Sequence, residues 1–408
     1  MVMFKSQQQL PVRLSNVSVQ RFEVLLFGAW LLFLCCMAAF DNIPNLQENH
    51  KYVFGDWLIN YQGGFVRRGF VGELLFQLAA VLNTDVRWLV YCVQVLCYPI
   101  FFSLCFYIIC SKGLVQRFWI FIISPAIFQF QFNDPIGGYR KELLMFVLLG
   151  VALTVHVYRR DWLKTMAAYF VLAMYPALIL SHELFFFFIS FAVILNKDIY
   201  LKNRRHVLAT GLLLFINAVA FSMSILYSGD LAHVVAICSS LGDFCSNNLI
   251  ENGAITWLAG DSEIGSSIVA ERYFNLSGAI RVLGAIIISG IPFLWVKPTL
   301  REIFSSKLNL LMILGSVLGV CAVAMVAIDW GRFIYMLVVC LFLLVLRYSR
   351  SEETQLPTST GRAKPALIAF YILYALMVSM PHVLTLDFTS RYVTILNMQT
   401  EMSGSNDG

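Results

Sequence analysis

Long apolar runs recur along the whole chain, and nearly every one is closed off by lysine or arginine. A bilayer's hydrocarbon layer is about 30 Å thick, so a crossing helix needs about 20 mostly apolar residues. Inside that layer no water is present to satisfy backbone amides, which restricts spanning structure to helices and closed barrels. The runs carry no strict two-residue alternation, so the expected fold is all-α: a polytopic transmembrane helical bundle. Composition agrees. Of 408 residues, 59% are apolar and 13% charged, and a soluble globule of this size could not hide so much apolar surface. A soluble enzyme, a secreted disulfide scaffold and a disordered chain are excluded.

Eleven spans are expected, at about residues 23–40, 88–110, 118–130, 142–157, 165–181, 184–196, 207–227, 276–298, 308–328, 333–347 and 366–385. Several fall short of a full crossing, so they extend into flanking polar residues or the loops between them are sunk below the surface. Residues 70–82 are apolar but short and hold Glu73 and Gln77. They read as an interfacial or re-entrant helix on the outer face. The first run is not read as a cleaved signal peptide.

Basic residues orient the bundle. With the N-terminus in the cytoplasm, the inner segments hold Lys5, Arg13 and Arg21; Lys112 and Arg117; Arg159, Arg160 and Lys164; Lys197 to Arg205; Lys297 to Lys307; and Arg347 to Lys364. The rule also requires a hairpin turning at Ser181-His182-Glu183, since one long helix there would put Lys197 to Arg205 outside. The result is one integral domain, 1–385, with outer loops 41–87 and 228–275, a linker at Pro357 to Lys364 and a disordered outer tail, 386–408. The bundle is expected in a bacterial inner membrane with its C-terminus in the periplasm. No internal repeat is evident.

Eight of the ten cysteines lie in or beside apolar runs and read as small buried side chains. Cys238 and Cys245 lie seven apart in the long polar loop. They can pair if that loop faces an oxidising compartment, or stay free.

The polar clusters fall on the predicted outer face. The densest is Gly55-Asp56-Trp57-Leu58-Ile59-Asn60-Tyr61-Gln62-Gly63-Gly64-Phe65-Val66-Arg67-Arg68-Gly69. Paired glycines allow a sharp turn, and outer arginines need an anionic partner: phosphate, lipid headgroup or nearby acid. A second cluster, Asn133 to Glu142, repeats the pattern with Gly137-Gly138 before Arg140-Lys141. A third is His182-Glu183, a costly ionisable pair at membrane depth with the makings of a general base. A fourth is Asp329-Trp330-Gly331-Arg332, where acid and arginine either pair with each other or lend Arg332 to an anion site. No P-loop, G-x-G-x-x-G, H-E-x-x-H or G-x-S-x-G pattern occurs. No basic–aromatic pattern points to nucleic acid.

Arginine and lysine suit a diphosphate, aromatic rings suit sugar faces, and a membrane location suits a polyprenyl tail. Together these point to glycosyl transfer from a polyprenyl-diphosphate-linked saccharide, with the cations stabilising the departing diphosphate. No cofactor is called for. A divalent metal can share that task, although no ligand set stands out.

The layout resembles two related groups. One is the GT-C membrane glycosyltransferases, whose first outer loop carries an acidic catalytic residue at a position that Asp56 matches. Those enzymes often carry two adjacent acids, whereas Gly55 precedes a lone Asp56 here. The other is the bacterial Wzy-type polymerases of O-antigen and similar surface polysaccharides: many-span, Phe-rich proteins with functional outer arginines. The likeness covers the whole chain as architecture and rests on no strict motif. It implies a polysaccharide polymerase or similar transferase in lipopolysaccharide-type assembly, alongside other polysaccharide-assembly membrane proteins. On this reading Arg67, Arg68, Arg140, Lys141 and Arg332 hold the diphosphate. Asp56 or the His182–Glu183 pair activates the acceptor hydroxyl, and Trp57, Tyr61 and Trp330 pack against sugar. The rival is a transporter or flippase for a lipid-linked sugar.

Overall fold

Several helices begin where short polar side chains can take the first free amides. Asp85 accepts from the Arg87 amide, Asn203 from His206, Asn275 from Gly278 and Ser306 from Asn309, each satisfying a donor that the first helical turn leaves open. The computed structural model describes residues 12–157, 160–246, 248–260, 262–350 and 363–395. Lys5, Arg159, Arg362, most of the 357–364 linker and the tail beyond 395 lie outside them.

In chain order the helices are α1 (Val12–Asp41), α2 (Ile43–Gln47), α3 (Gly55–Leu58), α4 (Phe70–Leu82), α5 (Val86–Ser111), α6 (Val115–Ile122) and α7 (Phe130–Asn133). Next come α8 (Glu142–Thr154), α9 (Asp161–Ser181), α10 (Ile189–Leu195), α11 (Lys197–Tyr200), α12 (Arg204–Leu226) and α13 (Leu231–Leu241). The series ends with α14 (Ser262–Tyr273), α15 (Leu276–Gly290), α16 (Lys297–Ser305), α17 (Lys307–Ala324), α18 (Trp330–Tyr348) and α19 (Ala363–Met377). Among the described residues there is no strand, only one bridge between Val378 and Thr389.

Among the described residues, seven helical stretches are long and apolar enough to cross a bilayer: Arg21–Gln47, Val86–Ser111, Asp161–Ser181, Arg204–Leu226, Leu276–Ser305, Lys307–Ala324 and Trp330–Tyr348. The chain is therefore a helical membrane protein. The outward faces of α1, α12 and α17 leave Leu32, Leu212, Phe215, Leu311 and Leu318 exposed, a belt no soluble monomer would tolerate.

Other predicted spans are broken. Residues 118–130 are α6, then tight turns, then α7, because Pro125 lacks an amide and pushes Ser124 out of helical geometry. The Ser124 hydroxyl is held by Tyr374 instead (2.9 Å). Residues 184–196 open with a 3-10 stretch, Glu183–Phe188, before α10. The run 366–385 stops at Met377, and Pro381 follows. The first two of these segments bury most of their side chains, so their irregular backbone meets protein rather than lipid.

Contacts sort the loops into two poles. At one, Lys112 donates to the Arg347 carbonyl (3.0 Å), His156 meets Asn196 (2.8 Å) and Arg347 pairs with Asp198 (3.4 Å). Tyr200 donates to the Ala168 carbonyl (2.6 Å), so the chain has doubled back after α9, turning at His182. At the other pole the Arg67 amide donates to Tyr227 (2.8 Å), Lys141 to Ser181 (3.1 Å), and Arg391 pairs with Asp41 (2.6 Å). The 26 residues of α5 separate the poles by about 39 Å of helix. Helix α4 keeps both ends at this second pole. It packs so closely that a β-carbon on Gly72 would lie 1.9 Å from the Ile59 carbonyl oxygen.

The segment after α12 covers the second pole. Cys238 and Cys245 are joined in a disulfide. Lys51 donates to the Phe244 carbonyl and sits over its ring.

Candidate functional site

Arg67 and Arg68 end the turn that Gly63 and Gly64 begin. Gly64 has φ +108°, and Arg68 itself sits at +67°, a left-handed conformation that costs a residue with a β-carbon about 1–2 kcal/mol. The twist aims Arg68 at Glu183, and its Nε lies 3.1 and 3.0 Å from the two carboxylate oxygens. Glu183 is thereby clamped. Arg67 is freer: Nη2 donates to the Trp257 carbonyl (3.1 Å), Nη1 stands 3.9 Å from Glu183, and Nε bonds nothing among the described residues.

Asp56, on α3, has no exposed surface. Its Oδ2 lies 3.5 Å from Arg140 Nε and its Oδ1 4.0 Å from Lys141 Nζ. Neither oxygen accepts a hydrogen bond among the described residues. Burial works to raise this carboxyl, but Lys141 and Arg140 together outweigh it and hold it below the ordinary carboxylate range. Lys141 is also fully buried and donates to the carbonyls of Arg68 (2.7 Å) and Ser181 (3.1 Å). Burial pushes its ammonium down to about 8 against the pull of Asp56. Arg140 donates to the Tyr52 carbonyl (2.9 Å).

His182 is buried, and its Nδ1 accepts from the Leu184 amide (3.3 Å). Burial, with Arg68 beside it, pushes the ring down to about 3, so it is neutral at physiological pH. Arg332 begins α18, pairs with Asp329 (3.1 Å) and lies 3.6 Å from Glu142. The predicted Asp329–Arg332 pairing is therefore present, and Glu142 joins it.

The aromatic residues are largely committed to structure. Trp57 is fully buried and its indole donates to the Tyr139 carbonyl (2.9 Å), so its ring has no open face for a sugar. Trp330 stacks on Tyr273 at 4.3 Å and donates to Ala324 (2.7 Å). Tyr61 packs against Phe65 and lies edge-on to Gly69. Trp257, which the sequence places in the long outer loop, stays 38% exposed beside Arg67.

All the predicted basic residues thus meet at one pole together with Asp56, His182 and Glu183. Acids interleave with them: Glu183 on Arg68, Asp56 on Arg140, Asp329 and Glu142 on Arg332. Apart from Asp329 and Arg332, which are three residues apart, the partners lie far apart in sequence, 115 residues for Arg68 and Glu183, so no local pattern reveals them. A further pair escapes the sequence altogether. Asp134 Oδ2 accepts from His382 Nδ1 (2.6 Å), and Oδ1 accepts from the Gly137 amide (2.7 Å). The signal for it was Pro381, which ends a helix read as running to 385. Among the described residues no group of three or more His, Cys, Asp or Glu is placed to hold a metal ion.

No protein-family model, no curated protein and no solved structure matches the chain.

Proposed function

We propose that the chain crosses a bacterial inner membrane eleven times, N-terminus inside, and works as a glycosyltransferase or polysaccharide polymerase at the outer face. Its donor would be a saccharide on a polyprenyl diphosphate, as the resemblance to Wzy-type and GT-C enzymes implies. One observation carries this reading: Arg67–Arg68, Arg140–Lys141 and Arg332 come from three distant segments and converge on one pole around the buried carboxylate of Asp56. A polyprenyl tail lies in the bilayer, which puts its diphosphate at the depth of such a pole.

The chemistry follows from the charges. As the anomeric C–O bond breaks, negative charge builds on the diphosphate. Cations already fixed in a dry site stabilise it without reorganising. Internal acids neutralise most of the cluster, so the most available cation is Arg67. Asp56 keeps Arg140 and Lys141 charged and apart while the site is empty of substrate. Trp257, open and next to Arg67, is the ring best placed for a sugar face.

The test uses purified protein in vesicles with a polyprenyl-diphosphate oligosaccharide. A ladder of longer products is expected, shortened or lost in Arg67→Ala. Transfer of the donor across the bilayer with no elongation would replace this reading with the flippase.

A further inference from the structure

The Asp134–His382 pair is built like a catalytic base. Asp134 is buried, and its Oδ1 takes the amides of Ile136 (3.2 Å) and Gly137 (2.7 Å). Its Oδ2 takes both the backbone amide and the ring Nδ1 of His382. An ionised carboxylate only accepts, so Nδ1 carries the ring proton and Nε2 keeps its lone pair. A carboxylate behind an imidazole fixes this tautomer and steadies the imidazolium that forms on protonation.

The ring sits between two of the cationic segments. The His382 carbonyl accepts from the amides of Gly331 (2.9 Å) and Arg332 (3.3 Å), so the residue caps the start of α18. Asp134 belongs to the loop that leads into Arg140 and Lys141. Two glycines make the approach possible. A β-carbon on Gly137 would lie 2.5 Å from the His382 Cβ, and one on Gly331 would lie 1.9 Å from the Pro381 carbonyl oxygen. The side chain stays 23% exposed, whereas Asp56 is sealed and His182 has its Nδ1 lone pair engaged. Among the described residues, His50 and Asp329 also lie near enough to feel the charge of His382.

We infer that His382 is the general base that activates the acceptor, with Asp134 as its positioning residue. This rests on the transferase reading above. The acceptor hydroxyl oxygen bonds to the anomeric carbon, and its proton passes to His382 Nε2. The bond from that carbon to the diphosphate oxygen breaks, and the electron pair leaves with the diphosphate.

The experiment measures donor binding and turnover separately, using full-length protein in vesicles and a polyprenyl-diphosphate oligosaccharide. For His382→Gln, donor affinity should hold while kcat falls at least about 100-fold. The rising limb of the kcat–pH profile should disappear. Asp134→Asn should lower kcat comparably and shift that limb. If His382→Gln destabilises the chain, His382→Ala with added imidazole serves instead, and turnover should return with imidazole concentration. Unchanged kcat and an unchanged pH profile, or no imidazole rescue in a folded His382→Ala, would overturn the base while leaving the transferase standing. Failure of wild-type protein to bind the donor would sink both.

Discussion

Arg67 and Arg68 are adjacent in sequence and opposite in energetics. Arg68 is clamped on Glu183, and removing one partner of a buried pair costs about 3–5 kcal/mol because the other is stranded. Arg68→Ala should therefore lower the amount of folded protein in the membrane, and Glu183→Gln should do the same. Arg67 has a spare Nε and one carbonyl partner. Arg67→Ala should leave stability intact and weaken donor binding about ten- to a hundred-fold, the worth of a charged hydrogen bond or two. Thermal melts and a donor-binding titration on the two variants separate these outcomes. Lys141 gives a test by pH. Its folded value of about 8 lies below the ordinary 10.5, so between those values the unfolded chain binds more protons and stability rises with pH. Donor affinity should move the other way, falling above about pH 8 as the ammonium discharges. Lys141→Arg should flatten that fall. Both arginines and the lysine were legible from sequence as outer cations out of place. Their counter-ions were not, because Glu183 and Asp56 are brought to them only by tertiary packing.

At the scale of elements, the sequence was reliable wherever one apolar run made one unbroken helix, as at α5, α9, α12 and α18. It also located the break at His182. It failed where a proline interrupted an apolar run, at Pro125 and Pro381, because uniform apolarity hides the periodicity that would show a change of backbone. The second failure concealed the segment after α19 that carries His382. That segment is fastened by the Gly331 amide on the His382 carbonyl (2.9 Å), by Arg272 on Leu384 (3.3 Å) and by Ser379 on Phe388 through the backbone (2.7 Å). Gly331→Ala tests the fastening. Its new methyl would sit 1.9 Å from a backbone oxygen, which cannot move aside as a side-chain tip can. Hydrogen exchange across 378–390 should speed up markedly, while α18 and insertion into the membrane persist. Unchanged exchange there would mean that the segment is not held through α18.

For the molecule as a whole, the decisive property is its two-ended order. The proposed orientation, which follows the positive-inside bias, would put the pole of Lys112, Lys197, Arg347 and Arg350 in the cytoplasm and the pole of Arg67, Arg140 and Arg332 outside. The proposed transfer chemistry needs the second set on one face. Labelling with a membrane-impermeant maleimide decides it. In a background with the eight free cysteines replaced, Gln62→Cys and Glu251→Cys should react in intact cells, since both positions are exposed at the second pole. Lys202→Cys and Glu302→Cys, exposed at the first pole, should react only after the membrane is opened. Cys238 and Cys245 add an internal control. Joined to each other, they should stay silent until a reductant is added and then label from outside. Their seven-residue separation implies that the bridge contributes about 2–3 kcal/mol to the local fold, so brief reduction should loosen the covering segment without unfolding the bundle. Labelling of Gln62→Cys and Lys202→Cys from the same side would mean that the bundle crosses an even number of times between them. The basic pairs would then share no face with a lipid-linked donor.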